Sequence, residues 1–83
     1  MNDENKVILY TSKFCSHAWL VENYIVENDI PARIINVDED SEAREELQQI
    51  NDGYASVPTL IFPDGSKLVE PSLRMVRNKV DRK

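Results

Sequence analysis

The chain has 83 residues, 41% of them hydrophobic and 30% charged, with a formal net charge of −5. That length suits one compact domain spanning residues 1–83, and the balance is that of a folded globule, not a disordered tail. A single cysteine excludes an internal disulfide framework and fits a reducing, cytoplasmic setting.

No apolar run approaches the ~18 residues of a membrane span, and the opening MNDENK lacks the basic start and apolar stretch of a secretory signal. Acids crowd into Asp38, Glu39, Asp40, Glu42, Glu45 and Glu46, which would repel a phosphate backbone. The bases gather near the end, at Arg74, Arg77, Lys79, Arg82 and Lys83, and read as a solvated helical face. Neither nucleic acid nor a membrane is an expected partner, and a monomer is the expected state.

In chain order, Lys6–Tyr10 is a short apolar run with polar bounds and predicts a buried strand. After Cys15 a stretch without Gly or Pro places Ala18, Val21 and Ile25 on one helical face, flanked by Leu20 and Tyr24. That helix should end near Asn28-Asp29, ahead of Ile30-Pro31. Residues 32–37 return to β-rich composition. Ser41 is the expected N-cap of a second helix whose apolar edge is Ala43, Leu47 and Ile50, stopped by Asn51-Asp52-Gly53.

Residues 59–62 and 67–69 read as two strands joined through Pro63-Asp64-Gly65-Ser66, where Gly65 can take the positive φ that such turns demand. Leu73, Val76 and Val80 then fall at helical spacing behind a cap at Ser72. The order is β-α-β-α-β-β-α. It predicts an α/β domain whose four-stranded mixed sheet has its first two strands parallel, its last two antiparallel, and helices on both faces.

The chemistry centres on Cys15, in TSKFCSHAWL. It sits where a strand-to-helix loop gives way to the helix, and the unpaired N–H groups and dipole of a helix start favour thiolate over thiol. Only the thiolate attacks a disulfide. Lys13 could add positive charge, and the polar neighbours Ser12, Ser16 and His17 suggest a loop facing solvent. A cysteine simply packed in a core is the alternative that composition alone allows. The other informative stretch is Ser56-Val57-Pro58-Thr59. A cis Val57–Pro58 bond would expose the Val57 backbone, to which an extended disulfide substrate could pair. Phe14, Trp19 and Tyr54 are candidates for a lip around such a site.

Together these stretches resemble the glutaredoxins. The resemblance rests on a strand ending in Tyr10-Thr11, an aromatic residue and cysteine at a helix start, Val57-Pro58-Thr59 before the third strand, and an Asp64-Gly65 hairpin. It runs from about Lys6 to Val80, and VPTLIFPDGSKLVEPS looks most like the mycoredoxin-type members. It implies a thioredoxin-like fold and a thiol–disulfide oxidoreductase with no bound cofactor and no metal. Its co-substrate would be a small thiol, glutathione or mycothiol-like, and its substrates protein or small-molecule mixed disulfides.

Carried over, Cys15 is the nucleophile, with Lys13, Ser16 and His17 beside it as thiolate-stabilising residues. Pro58 is the cis-proline. Val57, Thr59, Phe14, Ser72 and Leu73 complete the groove for the small thiol. Three departures stand out. The site reads Cys15-Ser16-His17-Ala18, against the family's C-x-x-C or Cys-Gly-Phe-Ser, so an internal dithiol route is impossible and a monothiol mechanism is expected. Glu70-Pro71-Ser72-Leu73 replaces the family's Gly-Gly-x-Asp. The lysine lies two places before the cysteine, one closer than is usual. Two other readings compete: an iron–sulfur cluster carrier sharing a cluster between subunits, and a redox-silent member that binds a protein partner.

Overall fold

The computed structural model describes residues 5–81. Seven elements follow in the expected order: β1 (Val7–Thr11), α1 (Ser16–Glu27), β2 (Ala32–Asn36), α2 (Ser41–Ile50), β3 (Thr59–Ile61), β4 (Lys67–Val69) and α3 (Leu73–Asp81). One four-stranded sheet has the order β2-β1-β3-β4. β1 and β2 are parallel, from Val7↔Ala32 to Thr11↔Asn36. β3 is antiparallel to both β1, through Leu9↔Leu60, and β4, through Leu60↔Leu68.

The period-2 alternation of β1 splits the core in two. Val7 and Leu9 point to one face, where Leu60 and Phe62 meet Val21 and Ile25 of α1 and Val76 of α3. Tyr10 points to the other, against Val37 and the Ala43 and Leu47 edge of α2. The helices therefore cover both faces, two on one side and one on the other. Leu9, Val21, Leu47, Leu60 and Val76 are fully buried, each contributing roughly 1.5–3 kcal/mol of apolar burial.

The helix ends show how local chemistry sets boundaries. α1 stops where Asp29 enters the left-handed region at φ 53° and the Ile30 N–H turns back to the Ile25 carbonyl at 3.1 Å. At α2 the expected cap is corrected: Asp40, not Ser41, is the N-cap. Its carboxylate accepts from the Glu42 and Ala43 N–H groups, both at 3.1 Å, and Ser41 becomes the first helical residue. The charged acceptor also sits favourably against the positive end of the helix dipole. Ser72 does cap α3, its Oγ accepting from Met75 N at 3.2 Å. No helix among the described residues is long and apolar enough to cross a membrane.

Strand direction decides where the chemistry gathers. β1, β2 and β4 all finish at the same end of the sheet, and β3, running the other way, begins there. The loop carrying Cys15, the loop after β2, Val57-Pro58 and the Glu70-Pro71 corner are thus neighbours at one edge. All three helices start from it.

Candidate thiol site

Cys15 is the N-cap of α1, extended at φ −123° and ψ 110°. Its Sγ accepts from the Ala18 N–H at 3.4 Å, as a capping oxygen would, and its carbonyl receives Trp19 N at 3.0 Å. The sulfur thereby sits at the first turn, where helix amides have no other partner. Cys15 is half-buried, neither sealed in the core nor fully exposed. Ala18, three residues on, has its side chain wholly buried, so the missing second cysteine is replaced by a core contact.

Opposite the sulfur lies the Val57–Pro58 bond, which is cis. The Val57 carbonyl is 3.8 Å from Sγ and within reach of a thiol proton. Pro58 is fully buried, and its carbonyl accepts from Glu70 N at 2.7 Å. Behind it a buried polar chain holds the approach to β3. Asn51 Nδ2 donates to Thr59 Oγ1 at 3.1 Å, and that hydroxyl donates to the Ser56 carbonyl at 2.7 Å. Thr59 is wholly buried, so its side chain lies beneath the Val57–Pro58 surface.

The loop before the cysteine is held by a residue that sequence reading passed over. Asp38, just after β2, accepts from Ser12 Oγ at 2.8 and 3.0 Å and from Lys13 N at 2.8 Å. Ser12 Oγ in turn accepts from Phe14 N at 3.1 Å. In the sequence Asp38 stands out only as one of a crowd of acids. The one available clue was its position directly after a strand parallel to the one preceding Cys15.

Lys13 is drawn to the same acidic run. Its ammonium lies 2.6 Å from Glu39 Oε2, and this hydrogen bond and charge raise its pKa above the usual lysine value. The expected partner of the sulfur is thus an exposed ion pair with Glu39. His17 is also committed elsewhere, its Nε2 lying 2.6 Å from the Pro71 carbonyl. Ser16 opens α1 and is exposed. Phe14, at 88% exposure, and the exposed Trp19 and Tyr54 carry their aromatic surface into solvent. Ser72 and Leu73, exposed at the start of α3, stand at the same sheet edge. Among the described residues no group of three or more His, Cys, Asp or Glu side chains is placed to hold a metal ion.

Known proteins share both the sequence pattern and the architecture. The glutaredoxin family profile matches residues 7–67. Proteins from two Mycobacterium tuberculosis strains that carry the glutaredoxin name are 29% identical over 72 residues, 87% of this chain and 86% of theirs. The crystal structure of the thioredoxin-like protein BC3987 superposes with a TM-score of 0.75 at 25% identity, covering 88% of this chain and 97% of that one. The glutaredoxin from Methanosarcina mazei Go1 gives 0.71 at 25% identity, with 92% and 78% covered. With the profile spanning most of the chain and the same fold around its one cysteine, this chain belongs to the glutaredoxin family.

Proposed function

We propose that the protein is a monothiol oxidoreductase that exchanges mixed disulfides with a low-molecular-weight thiol, glutathione or mycothiol-like, through Cys15. The observation that carries this reading is the placement of Sγ: at the N-cap of α1, 3.4 Å from the Ala18 amide, facing the Val57–Pro58 backbone. The Ala18 N–H donates to the sulfur at the start of α1, and the Val57 backbone beside it offers polar groups with which a substrate could pair.

In the first step the Cys15 thiolate attacks the small-thiol sulfur of a mixed disulfide. A new Sγ–S bond forms as the old S–S bond breaks, and the substrate's other sulfur leaves as a thiolate that takes a proton from water. In the second step the thiolate of another small-thiol molecule attacks the small-thiol sulfur of the adduct. Cys15 leaves as thiolate, and the two small thiols depart as a disulfide. Two electrons pass from the small thiols to the substrate, and no second protein cysteine takes part. Ala18 suits this route, since it leaves nothing to resolve the adduct internally.

The test is intact-mass spectrometry after incubation with glutathione–2-mercaptoethanol mixed disulfide and, separately, with its mycothiol counterpart. One equivalent of small thiol should add to the wild type, leave on addition of the reduced thiol, and be absent from C15S. A wild type that stays unmodified with both probes sinks the proposal.

A further inference from the structure

Seven residues close a ring that passes through the sulfur. Cys15 Sγ meets the Val57 carbonyl at 3.8 Å, and Val57 joins Pro58. The Pro58 carbonyl accepts from Glu70 N at 2.7 Å, and Glu70 joins Pro71. The Pro71 carbonyl meets His17 Nε2 at 2.6 Å, and His17 is two residues from Cys15. A carbonyl can only accept, so Nε2 carries the proton in this contact.

The corner that His17 grips does not hold its shape unaided. Glu70 adopts φ 49°, in the left-handed region where a side chain is disfavoured and glycine is usual. Pro71 is fully buried and has no N–H of its own. The corner is therefore pinned by the Glu70 N–H on one side and the His17 ring on the other, and α3 starts two residues later.

We infer that His17 is a positioning residue for the small thiol: it ties the Glu70-Pro71 corner to the helix carrying Cys15, fixing the start of α3 relative to the sulfur. Ser72 and Leu73, which follow the corner, are then held in one arrangement, and the Val57 backbone is steadied from the far side through Pro58. The role is mechanical, through a main-chain carbonyl, and distinct from the electrostatic one that proximity in sequence suggests. It rests on the exchange reading above.

The test separates positioning from action on the sulfur. H17A, H17Q and wild type are compared in steady-state exchange with glutathione–2-mercaptoethanol mixed disulfide, and in alkylation of Cys15 by iodoacetamide, a small probe that needs no groove. H17A should raise KM about five- to tenfold, the scale of one lost hydrogen bond, while its alkylation rate stays within about twofold of wild type. H17Q, whose amide N–H can reach the same carbonyl, should recover most of the loss. The inference is overturned by an unchanged KM in H17A, or by alkylation falling in step with exchange. A wild type that forms no adduct defeats the exchange reading and this inference together; a wild type that exchanges with H17A as its equal defeats only the inference. Circular dichroism confirms that each variant is folded.

Discussion

Two turns in this molecule are each built on an aspartate, and they differ in where that aspartate comes from. In the β3–β4 hairpin Asp64 accepts from Ser66 N at 2.9 Å and Ser66 Oγ at 2.6 Å, two residues away. In the thiol loop Asp38 accepts from Ser12 and Lys13, more than twenty residues earlier in the chain. The hairpin thus carries its own instructions, helped by Gly65 at φ 89° and by Lys79 reaching Asp64 at 3.1 Å. The thiol loop has no such local code. Its shape exists only when β1 and β2 lie side by side, so loop geometry, and any chemistry that depends on it, is tied to an intact sheet.

The sharpest way to break the comparison is D38A. Losing the acceptor for Ser12 Oγ and Lys13 N should lower stability by about 1–2 kcal/mol. For a domain of this size each kcal/mol shifts the melting temperature by about 4–8 °C. Because the same loop aims Cys15, exchange should fall about tenfold or more. If instead D38A exchanges like wild type, the loop does not need its distant anchor.

Gly65→Ala comes next. Nothing lies within 4 Å of an added Cβ, so the cost is purely that of a side chain at positive φ, about 1–2 kcal/mol. Exchange at the folded temperature should be unchanged, since the hairpin tip lies at the opposite end of the sheet from the thiol. A loss of exchange matching that of D38A would mean that the two ends are not independent.

The smallest effect belongs to D64N and is best read against pH. The Ser66 hydroxyl, then its N–H and the Lys79 ammonium, hold the Asp64 carboxyl well below the usual carboxylate range. Folding therefore favours the ionised form. The stabilisation is present above the unfolded carboxyl value of roughly 3.9 and is lost as pH falls through the depressed native value. The melting-temperature gap between wild type and D64N should be modest at pH 7, since the group is exposed, and should close under strong acid. A gap that widens below pH 4 would contradict this assignment.

These contrasts mirror what was legible in the chain. All seven elements were readable because each rests on a local pattern: the apolar run of β1, the Ala18–Val21–Ile25 stripe, the Asp64-Gly65 turn. The second helix was placed correctly and its cap was displaced by one residue, because Asp40 and Ser41 are both good caps and only backbone conformation chooses between them. The helix-start position of Cys15 and a cis Val57–Pro58 bond were readable from their settings, and the structure has both. Lys13 and His17 were identified by nearness to Cys15 in sequence, yet their charged and polar ends lie on Glu39 and Pro71. Long side chains go where a partner is within reach, and sequence distance does not measure that.

The sequence by itself determined the order and type of the elements and the presence of a single thiol at a helix start. It did so because strand and helix periodicity, turn residues and cysteine count are properties of neighbouring residues. The tertiary structure alone decided the strand order β2-β1-β3-β4 and the meeting of Cys15 with Val57. The same holds for the anchoring of the thiol loop by Asp38 and the tie from His17 to Pro71. Each of these joins residues 25 or more positions apart. Such pairs come within hydrogen-bond reach only after burial of the two faces of β1 has selected one arrangement of the sheet.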